Sequence, residues 1–446
     1  MEFRIDHKKT FALLLLYIFI GCIAGIGAIF FQQLFSFMNI YLMEGVVGYT
    51  DIQIVKGIRR FSLLWEAPSL RMWLIPVVTG VGGLVTGLIV YRFAPEAAGH
   101  GTDEVIHAYH HKDGEVQLRV SIVKMIASAI TLGTGGSGGK EGPIAQIGAG
   151  FGSFLCTRFS YFRAYRKEIM LAGMAAGIAA IFRAPLAGAI FAAEILHSDM
   201  RYDGRVLLPA VIASVISYGV YALYFGFHPV FIVPEFSYQF SLLHLVPFTV
   251  IGMVAAVGAI LFVKVFYGLR DLFKRIAVPM YIKPAIGGVL TGLVALALPE
   301  VFGEGSFHLQ RLVNGNFSLL LLAAIFIAKM ITTAFSIGSG GSGGIFGPSL
   351  FIGAALGGML GIGYTMVFPA TSIPMVVFIL LGMVAFFAGA ANAPFSTVII
   401  VAEMTRTFTL LVPFLWVSMF GYICSQRWNI YEKQIPLTQS ILEATE

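Results

Sequence analysis

Long apolar runs recur along the whole chain and are separated by short polar tracts. Clear examples are residues 10–31, 245–263 and 317–335. An apolar run of about 20 residues is long enough for a helix to cross the hydrocarbon core of a bilayer. Basic residues cluster between the runs, as at 158–167 and 270–275, which is typical of cytoplasmic loops. The pattern predicts an all-α polytopic membrane protein.

The composition supports this prediction and excludes other classes. Of the 446 residues, 58% are hydrophobic and 12% are charged, against roughly 25% charged residues in soluble domains. The formal charge of +6 lies in the loop tracts, so no nucleic-acid partner is expected. The cysteines Cys22, Cys156 and Cys424 are far apart in apolar settings. Neither a disulfide framework nor a metal site is therefore expected.

An internal repeat runs through the chain. GGLVTGL (82–88) returns as GGVLTGL (287–293), and GTGGSGGKEGP (133–143) returns as GSGGSGGIFGP (338–348). Both pairs are 205 residues apart. Further matches in the same order are Lys124-Met125-Ile126 with Lys329-Met330-Ile331, and 173–195 with 382–404. The chain is predicted to contain two homologous halves in tandem.

The predicted domain boundaries follow from this repeat. The first membrane half is residues 1–235, the second is 236–425, and a C-terminal segment at 426–446 carries Tyr431. The Pro- and aromatic-rich stretch at 228–239 is the predicted connection. Repeats of this size in a membrane protein are typical of transporters that bind their cargo where the repeats meet.

The repeated glycine-rich stretches are too broken by Gly and Pro to be plain spanning helices. Irregular backbone is tolerated at membrane depth only where protein buries it or where it lines a wet cavity. Pro143 and Pro348 suit the first position of a helix. The residues just before them would then present free backbone N–H groups at the positive end of a helix, an arrangement that binds anions.

These stretches supply the candidate site residues. Ile345 and Phe346 precede Pro348, so their amides are predicted to bind the anion, and the equivalent residues of the first half are Lys140 and Glu141. A carboxylate here can occupy the place of the anion and leave when protonated. Glu141 is thus predicted to gate the path and carry protons. The alternative is a Lys140–Glu141 pair that only stabilises a turn.

The same stretch does not support an enzyme. GGSGGKEG lacks the Ser or Thr that must follow the lysine of a P-loop, because Glu141 occupies that position. No metalloprotease motif or nucleophile elbow is present in the sequence. No enzymatic activity, catalytic residue or nucleotide partner is therefore expected.

The motifs GHG (99–101), GKEGP (139–143), GIFGP (344–348) and Tyr431 in NIYEKQIP resemble, in order and spacing, those of the CLC family of chloride channels and chloride/proton exchangers. The resemblance covers nearly the whole chain. It implies two inverted-topology helical repeats whose broken helices meet at a central anion site. It also implies a homodimer in a lipid bilayer, with one anion path per subunit, in a prokaryotic cell membrane.

The resemblance also assigns roles to individual residues. Glu141 aligns with the external gating glutamate, Ile345 and Phe346 with the backbone anion ligands, and Tyr431 with the tyrosine whose hydroxyl reaches the central anion. About 15 residues follow Tyr431, so the regulatory nucleotide-binding modules of many members are not expected. Chloride, with or without protons, would be the cargo, and no resident cofactor is expected.

His100 departs from the family pattern, which usually has an anion-binding serine at this position. An imidazole can still donate an N–H to an anion and gains a charge near neutral pH. It keeps open a preference for another anion, such as fluoride or nitrate. The alternative is that only the GHG backbone contacts the ion while His100 points toward the cytosolic vestibule.

Ile195 departs from the pattern of the exchangers, which generally carry an internal proton-transfer glutamate there. Glu194 is the preceding residue, and neighbours on a helix point about 100° apart, so it cannot simply substitute. Its repeat partner Glu403 favours a shared structural role for both. Asp199 would lie one turn beyond Ile195 if the helix continued. Antiport and passive, voltage-driven conduction both remain open.

Overall fold

The computed structural model describes residues 7–49, 71–199, 202–315 and 317–436. Within these residues the chain forms sixteen α-helices and, besides them, only short 3-10 or π segments and isolated backbone bridges. The helices are α1 His7–Asn39, α2 Ile75–Phe93, α3 Thr102–His111, α4 Leu118–Gly133, α5 Glu141–Arg158, α6 Arg166–Phe182, α7 Pro185–Glu194, α8 Gly204–Phe225, α9 Leu245–Arg275, α10 Lys283–Ala297, α11 Ser306–Val313, α12 Leu319–Thr333, α13 Phe346–Val367, α14 Met375–Ala391, α15 Pro394–Thr405 and α16 Leu411–Ser425.

The predicted membrane character is confirmed. Seven helical segments of the described chain are long and apolar enough to cross a bilayer, and other apolar helices, such as α7 and α15, are shorter. The seven are Lys8–Val47, Met72–Phe93, Gly204–Phe225, Leu242–Arg275, Leu319–Gly338, Phe346–Val367 and Phe408–Ser425. A mixture of full spans and short apolar helices is what interrupted helices at membrane depth require.

Within the described part of the chain the helices form two sets of eight that correspond in order, α1–α8 and α9–α16. The equivalent helices α5 and α13 begin at Glu141 and Phe346, 205 residues apart. Irregular backbone at 226–241 connects the two sets. The architecture is the predicted one, with two inverted-topology helical repeats whose broken helices meet at the centre. The domain boundaries at 235 and 425 stay predictions.

Small residues let the buried helices approach closely. A Cβ atom added to Gly148 of α5 would lie 2.1 Å from the carbonyl oxygen of Gly173 in α6. In the second half, a Cβ on Gly353 of α13 would lie 2.6 Å from the carbonyl oxygen of Gly382 in α14. Helices in a membrane associate through such close backbone contact. The equivalent glycines thus bring α5 and α13 firmly against the helices behind them.

Two carboxylates, of which Glu194 is fully buried and Glu403 is partly buried, tie the halves together. Glu194, at the end of α7, accepts hydrogen bonds from the amides of Phe395 at 3.0 Å and Ser396 at 2.7 Å. These amides belong to the first turn of α15. Glu194 also accepts a hydrogen bond from the Tyr202 hydroxyl at 3.0 Å. Its carboxylate therefore satisfies the free N–H groups of a helix in the other half.

Glu403 makes the reciprocal contact. Its carboxylate accepts hydrogen bonds from the amides of Leu186 at 3.3 Å and Ala187 at 2.9 Å, in the first turn of α7. Each half thus caps a helix of the other with an equivalent glutamate. The predicted structural role of Glu194 and Glu403 is confirmed, and the position of Glu194 is explained without a role in proton transfer.

We predict that Glu194→Ala lowers the free energy of unfolding by about 1–3 kcal/mol, because it leaves the amides of Phe395 and Ser396 buried without their partner. Thermal unfolding of the purified protein in detergent measures the effect. Glu235→Ala, at an exposed position of the connecting segment, is the control and should melt like wild type. Equal melting temperatures for both variants would contradict the capping role.

Candidate functional site

The two glycine-rich stretches meet through their backbones at the centre of the molecule. The amide of Gly139 donates to the carbonyl of Gly344 at 2.7 Å, and the amide of Gly344 donates to the carbonyl of Gly139 at 2.6 Å. Both glycines are buried. Equivalent residues of the two halves thus form an antiparallel pair. This pair satisfies irregular backbone that would otherwise be unpaired at membrane depth.

The two helices that follow begin slightly earlier than predicted. α5 begins at Glu141 and α13 at Phe346, so Pro143 and Pro348 are third residues rather than first. The prediction of a first-position proline is wrong. The physical reason is that none of the first four N–H groups of a helix has an acceptor within it. A proline is therefore tolerated at the third residue too, and the free helix ends remain as predicted.

Glu141 places its carboxylate against the first turn of α13. A Cβ atom added to Gly347 would lie 2.8 Å from Oε1 of Glu141, and one added to Gly344 would lie 3.0 Å from Oε2. The side chain is buried, and among the described residues Oε2 has no hydrogen-bond partner. Its position at the positive end of α13 is one that an anion would favour. Glycine at 344 and 347 leaves the room that the carboxylate fills.

A small cavity lies on one side of Glu141. Its volume is about 10 Å³, roughly the room that one water molecule needs. The lining residues come from both halves and from the C-terminal segment; they are Thr102, Glu141, Gly142, Ile178, Phe182, Phe191, Ile345, Phe346, Ile400 and Tyr431. We call this the central cavity. The structure thus brings together Glu141, Ile345, Phe346 and Tyr431, four of the five predicted site residues.

Tyr431 reaches the central cavity because its segment is held between the helices. The amide of Ile430 donates to the carbonyl of Ala390 at 2.8 Å, and the amide of Tyr431 donates to Oδ1 of Asn429 at 2.9 Å. The hydroxyl of Tyr267 donates to the carbonyl of Ile430. These bonds fix the backbone that leads into Tyr431, whose side chain is buried.

His100, the fifth predicted residue, lies beside the central cavity but does not line it. Its Nε2 is 3.1 Å from Oδ2 of Asp103, and its ring is 5.5 Å from the ring of Tyr431, centre to centre. The imidazole therefore packs behind the tyrosine. The side chain that does line the cavity from this loop is Thr102, which the sequence reasoning missed. The available signal was a hydroxyl directly after GHG, at the start of α3.

The structure shows that the GHGT loop at 99–102 has a counterpart, GEGS, at 303–306. The first and third residues of each loop are glycines with positive φ, of 69° and 89° in GHGT and of 59° and 82° in GEGS. Thr102 and Ser306 begin the equivalent helices α3 and α11. The two loops are therefore structural equivalents, and Glu304 occupies in the second loop the place that His100 has in the first.

A buried lysine supports each of these loops. Lys124 donates to the carbonyls of Ala97 at 3.1 Å and Gly99 at 2.7 Å. Lys329, its repeat partner, donates to the carbonyls of Val301 and Gly303, both at 2.9 Å. Both side chains are fully buried. The repeat of Lys-Met-Ile in the sequence marked these lysines, but their role beneath the two loops required the structure.

Lys140 pairs with Glu304 rather than with its neighbour Glu141. Its Nζ lies 3.0 Å from Oε2 of Glu304 and donates to Oε1 of Gln32 at 2.9 Å. The alternative of a Lys140–Glu141 pair that stabilises a turn is therefore not what the structure shows. The Lys140–Glu304 pair borders a vestibule of about 340 Å³ on the side of Glu141 away from Tyr431. We call this space the outer vestibule, because Glu141 aligns with the external gating glutamate of the family that the sequence resembles.

The neighbourhood of Ile195 differs from one expectation. α7 ends at Glu194, so the helix does not continue to place Asp199 one turn beyond Ile195 on the same face. The premise of a relay through Asp199 is therefore wrong. Ile195 is fully buried, and its carbonyl accepts a hydrogen bond from Nε2 of Gln434 at 2.9 Å.

The geometry allows one side chain to control an anion path. Glu141 borders the central cavity and also a separate cavity of about 40 Å³ that leads toward the outer vestibule. A carboxylate at this point can hold the positive helix end as a tethered anion, and it loses that attraction when a proton neutralises it. Binding by amides and hydroxyls gives an ion enough stabilisation to enter without trapping it.

Comparison with known proteins gives a consistent result. The family model described as voltage gated chloride channel matches residues 82–426. A putative chloride channel protein ClcB-like from Ralstonia nicotianae is 28% identical, with 91% of each chain covered. An H(+)/Cl(-) exchange transporter ClcA from Vibrio campbellii is 31% identical, over 89% of this chain and 86% of the relative.

Solved structures share the fold. A slow cyanobacterial Cl−/H+ antiporter superposes with a TM-score of 0.81 at 22% identity, covering 97% of both chains. A CLC-type fluoride/proton antiporter gives 0.79 at 22% identity, covering 97% of this chain and all of the other. The seven spans and the bacterial relatives show a multi-pass integral protein of the bacterial cell membrane. The chain belongs to the voltage-gated chloride channel family, the CLC family.

Proposed function

We propose that this protein exchanges chloride for protons across the membrane and that Glu141 is both the gate and the proton carrier. The observation that carries the proposal is the place of its carboxylate. It borders both the central cavity and the cavity of about 40 Å³ that leads toward the outer vestibule, which we call the outer passage. Relatives about 31% identical, named H(+)/Cl(-) exchange transporters, support antiport as the mode.

The proposed cycle follows from the charge of one side chain. With Glu141 ionised, its carboxylate holds the positive end of α13, and a chloride ion cannot take the same place. A proton from the outer side neutralises the carboxylate, which leaves and admits chloride. Return of the side chain requires that its proton be released and that the anion move on. Anion and proton movements are thereby coupled through competition for one position.

The proposed chloride ligands combine amides with hydroxyls. The free N–H groups near Ile345 and Phe346 point from the start of α13, and the hydroxyls of Tyr431 and Thr102 line the same cavity. Lys124, beneath the GHGT loop, adds a buried positive charge without touching that cavity. His100 is proposed to position the ring of Tyr431 through their contact rather than to bind the anion itself.

A homodimer with one path per subunit is part of the proposal. Large apolar side chains are exposed on α7, α8, α15 and α16, among them Leu186, Leu208, Phe395 and Ile423. These faces can pack against lipid or a second subunit, and the family resemblance favours the second subunit.

A passive chloride channel is the second candidate, favoured by Ile195. This residue cannot carry a proton and stands where exchangers of the family generally have a glutamate. The match to a relative named as a putative chloride channel supports the same alternative. If chloride passes without protons, Glu141 would open and close the path but would not couple two fluxes.

We predict that an outward chloride gradient drives protons uphill in liposomes that contain wild-type protein, and that Glu141→Gln abolishes this movement while passive chloride flux persists. The amide cannot carry a proton or compete as an anion. External pH and chloride are recorded at a voltage clamped with a potassium ionophore.

The same assay separates the alternatives. Chloride flux without proton movement in wild type would contradict antiport and favour the channel. Absence of chloride flux would contradict the chloride assignment, and a panel with fluoride and nitrate would then identify the anion. The control is Glu168→Gln, which removes the charge of a carboxylate on α6 that lies outside the path.

We predict that Thr102→Val weakens chloride binding about 10- to 100-fold, because one hydrogen bond to a charged group contributes about 1.5–3 kcal/mol. His100→Ser should weaken it less, since the imidazole does not line the cavity. Isothermal titration with chloride measures both. Thr157→Val, at an exposed position near the end of α5, is the matched control. A larger loss in His100→Ser than in Thr102→Val would contradict the assignment of the ligands.

A further inference from the structure

The outer passage contains a second carboxylate, Glu304, in the loop equivalent to the one beside Tyr431. In the GHGT loop the second residue is His100, and in the GEGS loop it is Glu304. The inverted repeat places these loops on opposite sides of Glu141. A titratable side chain thus stands on each side of the gate, and the outer one is an acid.

Glu304 is held in a defined position. Its Oε2 lies 3.0 Å from Nζ of Lys140, and its Oε1 accepts a hydrogen bond from the hydroxyl of Ser306. The side chains of Lys140 and Glu304 are only 14% and 15% exposed. Because solvent screens them little, their attraction is stronger than that of an exposed ion pair. Lys140 also lies over the ring of Phe35, which restricts the ammonium group further.

Glu304 borders both the outer vestibule and the cavity next to Glu141. Glu304 borders the outer vestibule of about 340 Å³, which Glu141 does not border. Both carboxylates border the cavity of about 40 Å³ between the vestibule and the gate. This cavity has room for at least one water molecule, which needs about 10–15 Å³. A proton that leaves Glu141 can therefore reach Glu304 before it reaches the open vestibule.

The ammonium group of Lys140 pairs with Glu304 and borders the same cavity as Glu141 without pairing with it. Lys140 pairs with Glu304 in space and is the neighbour of Glu141 in the chain. With both carboxylates ionised, the three groups carry a net charge of −1 in a site with little solvent. One proton makes the group neutral. Because all three side chains border one cavity, the group can take up one proton and pass it between the two carboxylates without gaining a net positive charge.

We propose that Glu304 is a second proton-transfer residue, which exchanges protons between Glu141 and the outer vestibule. In the outward step the O–H bond of protonated Glu141 breaks and an O–H bond forms on the carboxylate of Glu304, directly or through one water molecule. The electron pair stays on Glu141, whose carboxylate returns to the helix end. Glu304 then gives the proton to vestibule water, and Lys140 remains an ammonium ion throughout. The inference rests on the proposed antiport.

The test compares Glu304→Gln with wild type in the liposome assay. Groups that transfer protons in a rate-determining step contribute typically about 10²–10⁴-fold. Because Glu141 can still reach water through the cavity, we expect a smaller loss, about 10-fold, in chloride-driven proton movement. Glu304→Asp retains a carboxylate and should recover most of the rate. Glu235→Gln, an exposed acid of the connecting segment, should behave like wild type.

A double variant distinguishes proton transfer from a structural role. In the Glu141→Gln background there is no proton to pass on, so adding Glu304→Gln should leave chloride flux unchanged. An equal slowing of chloride flux in this background would overturn the inference, since Glu304 would then act on the anion or on the shape of the passage. Thermal unfolding of each variant confirms that the compared proteins are folded.

The outcomes also separate this inference from the proposed function. Coupled transport in wild type with an unchanged rate in Glu304→Gln would overturn the role of Glu304 alone. Coupled transport that survives in Glu141→Gln would overturn the role of Glu141 and leave Glu304 without its partner. Chloride flux without any proton movement in wild type would overturn both.

Discussion

The hydrogen-bonded pair of Gly139 and Gly344 is the constraint on which the rest of the site depends. A helix that stops inside a membrane exposes backbone groups that neither lipid nor its own turns can satisfy. Here the two interrupted stretches satisfy each other, through two backbone bonds between equivalent glycines. Because the pairing is antiparallel and local, α5 and α13 can both begin at this depth. Their free N–H groups then stand beside the central cavity without a full positive charge.

The two halves place equivalent backbone at the site but carry different side chains there. α13 begins with Phe346 and receives a carboxylate, whereas α5 begins with Glu141 and supplies it. The GHGT and GEGS loops each rest on a buried lysine, but one carries His100 and the other Glu304. Side-chain differences on two equivalent frames thus create an inner side with hydroxyls and an outer side with carboxylates. Glu194 and Glu403 hold the two halves together through their reciprocal helix caps.

The sequence was sufficient for the architecture, because apolar length and repeated glycine patterns are local properties. The sequence pattern also marked Glu141, Ile345 and Phe346, and the family resemblance marked Tyr431. The structure places these four residues around one cavity, while their roles in transport stay predictions. The sequence was insufficient where a contact depends on distant residues. Lys140 finds Glu304 across the two halves, and Thr102 takes the cavity position expected of His100. The likeness of GHGT and GEGS rests on two glycines, too few to detect without the backbone. Asp199 was misplaced because nothing local to the sequence showed that α7 ends at Glu194.

The central claim is that the carboxylate of Glu141 and a chloride ion compete for one position. The most direct measurement is isothermal titration of chloride into purified wild type and Glu141→Gln at several pH values. Competition predicts that chloride binding to wild type weakens as pH rises, because the ionised carboxylate occupies the site more often. Glu141→Gln should bind chloride at least as tightly as wild type, with much less dependence on pH. Equal affinity and equal pH dependence in the two proteins would contradict the account.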